Sequence, residues 1–168
     1  MSDIPTWWTQ RWIDSVVESR DFKTKVRKGR ILAKRRRVSN IVIRPGLVTA
    51  SVSTEDAGEF SVRLRQRPLD DETWDTIIER LSSEAHYATL LLDGQLSEEM
   101  NELFESEGGD LLPYDHHDLT YWCTCGDYSA MCVHSVALHF AIAEAIGNDP
   151  FVLLEFRGKS REALMTAL

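Results

Sequence analysis

The chain has 168 residues, of which 43% are hydrophobic and 27% are charged, and its net charge is −8. This length is sufficient to bury one sizeable core, or two small cores that share an interface. Because no run of about eighteen apolar residues occurs, the composition argues against a membrane-spanning helix, and we expect a globular protein.

Charge is divided unevenly along the chain. Residues 1–67 contain 15 Lys and Arg against 7 Asp and Glu, whereas residues 68–168 contain 4 against 20. We therefore predict a basic N-terminal region over 1–67, a helical region over 68–112, and a third region over 113–168 that holds the cysteines. Because no long linker or low-complexity tract separates these regions, we expect them to form one compact unit.

The N-terminal region is predicted to contain one helix and a small antiparallel sheet. A helical pattern over 5–20 places Trp8 and Trp12 in an aromatic stripe, which we assign to core packing. Strands are predicted over 38–44 and 47–53, around a tight Pro45-Gly46 turn in which proline fixes φ and glycine accepts a positive φ. A third strand over 59–67 completes a meander.

A strongly basic stretch without any acidic residue lies between this helix and the sheet, over 23–37. In the third strand, three arginines alternate with apolar residues, so that their guanidinium groups share one face. Because phosphate backbones are a common partner of such surfaces, we predict nucleic-acid contact, with DNA as a candidate partner. The predicted contact residues are Lys23, Lys25, Arg27, Lys28, Arg30, Lys34, Arg35, Arg36, Arg37, Arg63, Arg65 and Arg67.

Two alternatives compete with this interpretation of the basic residues. They can form an ordinary solvated surface, or they can pair with acidic side chains of the second half of the chain. The isoelectric point of about 5.1 favours these alternatives.

Helical patterns dominate the region over 68–112. Apolar residues at 74, 77, 78 and 81 form one helix stripe after Asp70 and Asp71, which are suited to capping. A short helix is predicted over 83–92 and stops at Gly94. Another helix begins after Ser97 and ends at Gly108-Gly109.

All three cysteines of the chain lie within twelve residues, together with one histidine: Cys123, Cys125, Cys132 and His134. Thiolates and a neutral imidazole are the ligands that Zn²⁺ prefers, in tetrahedral coordination. An extended segment over 119–125 would point both of its cysteines to one face, and a turn would return the chain to Cys132 and His134 at a helix start. The helix dipole there would lower the pKa of Cys132. The sequence therefore predicts a zinc site with four protein ligands.

Disulfide bonds and free buried cysteines are the alternatives to a metal site. Three cysteines is an odd number, and a bridge between Cys123 and Cys125 would close a small, strained ring. Residues 1–20 also lack the uninterrupted apolar core of a secretory leader. We therefore expect a cytoplasmic protein whose thiols stay reduced.

The pattern Cys-x-Cys, six residues, Cys-x-His resembles the SWIM zinc finger. Trp7-Trp8, Arg44-Pro45-Gly46 and the tail over 149–158 are similar to bacterial stand-alone SWIM proteins, although only the four ligands are a specific motif. The resemblance implies an embedded ββα-like finger, a structural zinc ion, binding of DNA or protein, and a role beside a Swi/Snf-type helicase. Gly126 follows Cys125 at a point where relatives often carry a proline, a departure that affects the shape of the loop.

The predicted fold class is α+β, with an N-terminal helix and a small antiparallel β meander, followed by a helical region with the embedded finger. Four protein ligands leave a zinc ion no open coordination position for water or a substrate. The patterns typical of zinc deaminases and zinc proteases, His-x-Glu and His-Glu-x-x-His, do not occur in the chain. We therefore expect a non-catalytic protein without a small-molecule substrate. A protein adaptor with no nucleic-acid contact is the alternative function.

The C-terminal region is predicted to be helical after the metal ligands. A nearly all-apolar helix over 132–146 is expected to be capped by Gly147, and further helices start at Asp149-Pro150 and at Ser160. We interpret His139 as a structural residue, because it points away from the ligand side of the helix. His116 and His117 lie beside Asp115 and Asp118, where a second, weaker metal site is the alternative to ordinary loop histidines.

Overall fold

A computed structural model describes residues 4–168 as an α+β fold built on one four-stranded antiparallel sheet. The first three residues of the predicted N-terminal region lie outside the described residues. In spatial order, the strands are β1 (Val38–Arg44), β2 (Leu47–Thr54), β3 (Gly58–Arg65) and β4 (Thr120–Cys123). The helices are α1 (Trp7–Val17), α2 (Lys23–Lys34), α3 (Asp71–Ser82), α4 (Ala85–Leu92), α5 (Glu98–Ser106), α6 (Val133–Asn148), α7 (Pro150–Arg157) and α8 (Arg161–Ala167).

The predicted meander is confirmed, and its register determines which residues face the core. Val48 and Ala50 of β2 lie opposite Leu64 and Val62 of β3, and all four are buried. The third strand ends at Arg65, two residues earlier than predicted, and the backbone N–H of Gln66 donates to Gly46 O (3.2 Å) in the turn between β1 and β2. Arg67 therefore lies outside the strand, and the prediction that it shares a strand face with Arg63 and Arg65 is wrong.

Strand β4 comes from the C-terminal region but pairs with β3. Cys123 lies opposite Val62, and Tyr121 lies opposite Leu64. Among the described residues over 113–168, β4 is the only strand. An embedded ββα-like finger is therefore not confirmed as a separate unit, since the strand beside β4 belongs to the N-terminal sheet.

The predicted N-terminal helix is shorter than expected, and an unpredicted helix follows it. Helix α1 begins after Thr6, whose Oγ1 accepts a hydrogen bond from Thr9 N (3.4 Å), and it ends at Val17. Helix α2 contains most of the basic stretch and buries Val26 and Gly29 against α6. A Cβ atom at Gly29 would lie 2.5 Å from Val136 Cγ1, so glycine permits this close helix contact.

The helices predicted for the middle of the chain are confirmed together with their caps. Asp70 Oδ1 accepts a hydrogen bond from Thr73 N (2.8 Å) at the start of α3. Ser97 Oγ accepts one from Met100 N (3.1 Å) at the start of α5. The short helix α4 lies between them, as expected, and its last turn is followed by Gly94.

Helix α6 contacts α1, α2, α7 and every strand of the sheet. The prediction that Gly147 caps it is wrong, because the helix continues to Asn148. A Cβ atom at Gly147 would lie 2.9 Å from Thr9 Oγ1, so the glycine permits the close approach of α1. Helices α7 and α8 begin where predicted, with side-chain caps from Asp149 and Ser160.

No described helix is by itself long and apolar enough to cross a membrane; α6 and α7 reach that length and composition only as a pair, which is bent by 116°.

One hydrophobic core is shared by the three predicted regions, which contribute residues such as Val62, Trp74 and Leu138. A buried arginine, Arg157, also joins distant segments. Its Nε donates to Asp110 O (3.0 Å), and its Nη1 donates to Arg67 O (2.7 Å). Burial lowers the pKa of Arg157 to about 10, against an opposing effect of the nearby acidic groups.

Candidate metal centre

The four predicted ligands are positioned by the end of β4, the turn after it, and the start of α6. Cys123 is the last residue of β4, and Cys125 lies in the following turn. Cys132 is the N-cap residue of α6, and His134 belongs to the first turn of this helix. The predicted extended segment therefore ends at Cys123, and turn geometry rather than strand alternation brings the Cys125 thiol to the site.

The ligand atoms of the four residues all lie within 4.8 Å of one another. Cys123 Sγ and Cys132 Sγ lie 3.7 Å and 3.8 Å from His134 Nδ1. In a tetrahedral site with Zn–S distances of about 2.3 Å and Zn–N distances of about 2.0 Å, the sulfur–nitrogen edge is about 3.6 Å. The donor set and its spacing therefore fit one divalent ion, which His134 would bind through Nδ1.

Neighbouring residues position two of the predicted ligands, Cys132 and His134. The backbone N–H of Ser135 donates to Cys132 Sγ (3.3 Å), and the Ser135 hydroxyl lies 3.2 Å from the same sulfur. Phe60 of β3 stacks on the His134 ring, with centroids 4.3 Å apart. Such contacts orient metal ligands. Sequence reasoning missed both residues, although Ser135 could have been found, because the third residue after an N-cap donates to the capping atom.

The environment shifts the pKa values of two thiols in opposite directions. Burial raises the pKa of Cys123 to about 12, and the proximity of Cys132 contributes in the same direction. Burial also acts to raise the pKa of Cys132, but hydrogen bonds from His134 and Ser135 together outweigh it and lower the pKa to about 6. The pKa of Cys132 is lowered, as expected, but by hydrogen bonds rather than by the helix dipole. A bound divalent cation would lower the pKa of both thiols.

Lys25 supports the loop between Cys125 and Cys132. Its Nζ donates to Asp127 Oδ2 (3.0 Å) and to Met131 O (3.0 Å). Hydrogen bonds from Ser129, and then the Lys25 ammonium, lower the pKa of Asp127 to about 2. This lysine, predicted to contact nucleic acid, thus has its partners inside the protein.

Three of the other predicted nucleic-acid contacts have partners within the protein. Arg36 and Arg37 form ion pairs with Glu144 (2.8 Å) and Glu55 (2.9 Å), and Arg30 Cζ lies 4.8 Å from the ring centroid of Phe140. The rest are exposed and form no ion pair with a described residue: Lys23, Arg27, Lys28, Lys34, Arg35, Arg63, Arg65 and Arg67. Lys23, Arg27, Lys28 and Lys34 lie on α2, with Arg35 directly after it, and Arg63 and Arg65 lie on β3, with Arg67 after that strand.

Asp115, His116 and His117 form a second group, whose ligand atoms also lie within 4.8 Å of one another. Asp115 Oδ1 accepts a hydrogen bond from His117 N (2.7 Å), which lowers the pKa of Asp115. His116 packs edge-on against Phe22. Asp118 does not belong to the group, because its Oδ2 accepts from Tyr114 N. Local protein contacts thus account for the geometry of this loop.

His139 is buried and joins the sheet to α1. Its Nε2 lies 2.7 Å from Trp12 O, and because a carbonyl oxygen only accepts, Nε2 carries the proton. Nδ1 then accepts a hydrogen bond from the Tyr121 hydroxyl (2.6 Å). Burial lowers the pKa of His139 to about 4 and raises that of Tyr121. This arrangement gives His139 a structural role behind the strand that carries Cys123.

The chain is similar to an uncharacterized protein of Mycobacterium tuberculosis, Rv2102, with 32% identity over 163 residues. The match covers 97% of this chain and 58% of the relative, so the chain spans little more than half of the relative's length. No family model matches the chain, and no solved structure matches it. The relative's name assigns no activity.

Proposed function

We propose that the chain is a zinc-binding, non-catalytic interaction module of the SWIM type that acts in the cytoplasm. The observation that carries the proposal is the convergence of Cys123, Cys125, Cys132 and His134, whose ligand atoms lie within 4.8 Å of one another. Thiolate sulfur and imidazole nitrogen favour Zn²⁺ over Mg²⁺ and Ca²⁺, which prefer oxygen ligands. A reducing cytoplasm would keep these thiols available for the metal.

The ion would have a structural role. Four protein ligands complete a tetrahedron and leave no coordination position for water or a substrate. The ligands also come from the end of β4 and the start of α6, and α6 contacts every strand of the sheet. Metal binding would therefore contribute folding free energy at the junction between the sheet and its central helix.

Nucleic acid is the partner that we favour. Its support is the set of exposed basic residues on α2 and β3 that form no ion pair with a described residue. The acidic net charge does not cancel their local potential, because charges further apart than about 8 Å are largely screened at physiological salt. An accessory role beside a Swi/Snf-type helicase, which the motif resemblance implies, is part of this proposal.

A protein adaptor without nucleic-acid contact is the second candidate. Tyr128, in the loop between Cys125 and Cys132, is 100% exposed, and Tyr114 is 83% exposed. Exposed tyrosines are enriched among the residues that anchor protein interfaces. The ion pairs of Lys25, Arg36 and Arg37 also favour this candidate, because they reduce the charge left for phosphates.

Metal analysis of natively purified protein tests the site. We expect one zinc ion per chain, and a Co²⁺-substituted form with the visible absorption of a tetrahedral thiolate complex. The variant His134→Ala should lose metal, whereas His86→Ala, which removes an exposed histidine outside both groups of possible ligands, should retain it. Metal-free protein prepared under reducing conditions would contradict the proposal.

Affinity purification from the native cell, with and without nuclease, separates the two partner classes. If nucleic acid is the partner, recovery should depend on intact nucleic acid, and affinity should fall steeply with added salt. A stoichiometric protein partner that resists nuclease, in a chain that binds no oligonucleotide, would favour the adaptor instead.

A further inference from the structure

The sheet has an outer face, opposite the face that packs on the core. The inward-pointing residues include Val62 and Leu64 of β3 and their partners on β4, Cys123 and Tyr121. Because side chains alternate along a strand, the residues that alternate with these on β3 and β4 point outward. The strand register aligns these outward residues in two cross-strand rows. One row is Val42, Thr49, Arg63 and Trp122, and the next is Arg44, Leu47, Arg65 and Thr120; we call these eight residues the outer rows.

Trp122 is the aromatic residue of the outer rows. Its side chain is 50% exposed, although a tryptophan is usually among the most buried side chains of a protein. Arg63 on the neighbouring strand lies over its ring, with Cζ 4.9 Å from the ring centroid. Arg63 therefore places a positive charge beside an indole ring that is half open to solvent.

The outer rows carry three positive charges and no negative charge. Arg44, Arg63 and Arg65 are exposed, and none of them forms an ion pair with a described residue. By contrast, Arg11 and Arg36 are each paired with a glutamate elsewhere on the surface. Unpaired arginines beside an open indole ring are complementary to a ligand that combines phosphates with flat bases.

The shape of this face favours a single strand over a duplex. Neighbouring strands lie about 4.8 Å apart, so the axes of β1 and β4 are about 14 Å apart before side chains are added. The sheet is therefore too wide to enter the major groove of B-DNA, which is about 12 Å across. The bases of a single strand are free to stack on an aromatic side chain while its phosphates contact arginines.

We propose that the outer rows bind single-stranded nucleic acid, with a base stacked on Trp122 and phosphates held by Arg44, Arg63 and Arg65. This inference rests on the proposed nucleic-acid function and adds the surface and the strandedness of the ligand. The basic residues of α2 are not part of this surface, because the outer rows are built only from β1, β2, β3 and β4. DNA and RNA share the groups that this face would recognise.

Fluorescence anisotropy with labelled oligonucleotides of about ten nucleotides, within the usual range of single-strand sites, tests the proposal. Oligo(dT) is expected to bind more tightly than a duplex of the same length, and oligo(U) reports whether RNA is accepted. Trp122→Ala should weaken binding by about 5-fold to 100-fold, whereas Trp122→Phe should retain most of the affinity, because an aromatic face remains. The control Arg80→Gln, in an exposed arginine of α3, should bind like the wild type.

Salt dependence tests the phosphate contacts separately. Replacing both Arg63 and Arg65 with Gln should reduce the slope of log affinity against log salt by about 1.4, since each single-strand phosphate contact contributes about 0.7. Metal content and circular dichroism of each variant identify any that fail to fold, and Trp122→Phe keeps the test valid if Trp122→Ala is one of them.

The outcomes separate this inference from the proposed function. In one outcome, duplex binds as tightly as oligo(dT), and binding is weakened by the double variant Arg27→Gln, Lys28→Gln on α2 but not by variants of the outer rows. The nucleic-acid function then stands, and the outer rows are excluded as its surface. If the wild type binds no oligonucleotide, both fail, while the zinc site is still judged by metal content. Folded Trp122→Ala with unchanged affinity would also overturn the inference.

Discussion

Two buried polar residues, His139 and Arg157, join segments that are distant in the chain. His139 connects Trp12 with Tyr121, and Arg157 connects Arg67 with Asp110. Their partners are carbonyl and hydroxyl groups rather than carboxylates. Removing the His139 side chain leaves Trp12 O without this buried donor, and removing the Arg157 side chain takes the donor from two partly buried carbonyl groups, which costs more than the hydrogen bond itself contributes.

We expect His139 to make the protein less stable as the pH falls from about 6.5 to about 4. The pKa of His139 is about 4 in the folded protein and about 6.5 in an unfolded chain, so the unfolded state binds more protons in this window. The expected loss between pH 7 and pH 5 is about 2 kcal/mol. Tyr121, the titratable group that contacts the ring, has a raised pKa and stays neutral there. Urea unfolding at the two pH values measures the loss.

The variant His139→Gln provides the comparison. It should be less stable than the wild type at pH 7, but its further loss at pH 5 should be smaller, because the titrating group is gone. An equal loss in the wild type and His139→Gln would contradict the assignment.

Arg157→Met should lower the free energy of unfolding by about 2–4 kcal/mol. The substitution keeps much of the side-chain volume but leaves Asp110 O and Arg67 O without their donor. Arg161→Met is the matched control, because Arg161 is exposed and holds only a 3.7 Å ion pair with Asp149 and a contact with the Phe151 ring. We expect it to cost less than about 1 kcal/mol. Equal unfolding midpoints for the two variants would contradict this role.

Among the structural elements, α6 is approached closely by two helices through glycines. Gly29 of α2 meets Val136, and Gly147 of α6 meets Thr9 of α1. Glycine is a poor helix former, so neither position is favoured by local propensity. The close packing between helices that each glycine permits compensates for its low helix propensity.

Gly29→Ala should therefore destabilise the protein, although the same change in an exposed helix stabilises it by about 1 kcal/mol. The added Cβ atom would lie 2.5 Å from Val136 Cγ1 and 2.9 Å from Ala137 N, and the backbone atom cannot yield as a flexible side chain can. We expect a loss of about 1–3 kcal/mol in thermal or urea unfolding. Lys28→Ala, at an exposed position of the same helix, should be close to neutral; an equally neutral Gly29→Ala would exclude a tight contact.

The same glycine explains why α2 was not predicted. The buried residues of α2 are Val26 and Gly29, and Phe22 is buried just before the helix. A glycine therefore occupies a position at which a helical pattern requires an apolar side chain. The strands β1 and β2 and the caps of α3, α5, α7 and α8 were predicted correctly, because turn residues and capping side chains act within a few residues. Gly147 was misassigned because a capping glycine and a packing glycine look alike in sequence.

For the whole molecule, the Cys/His cluster lies where the N-terminal sheet meets the helical part of the chain. Strand β4 joins β3, and the next ligands begin α6, which packs on the core face of the same sheet. The predicted zinc site is therefore a junction of the fold. Loss of the metal should destabilise β4 and the start of α6 before the rest of the protein.

Chelation, or Cys125→Ser, should reduce hydrogen-exchange protection in β4, the adjacent edge of β3 and the first turns of α6. Protection of β1 and of α3 should change little, because the structure places no metal ligand in them. The measurement is amide exchange of metal-loaded and metal-free protein at equal concentration. Identical protection in both forms, or a uniform loss over the whole chain, would contradict a local structural role of the ion.

The nature of the ligands, the alternation of the strands and the helix caps are local properties, so the amino-acid sequence was sufficient to predict the α+β class and the Cys123, Cys125, Cys132 and His134 cluster. The pairing of β4 with β3, the ion pairs of Lys25, Arg36 and Arg37, and the outer rows around Trp122 depend on contacts between residues far apart in the chain. Burial and strand register set these contacts, and neither is defined until the helices and the sheet have packed together.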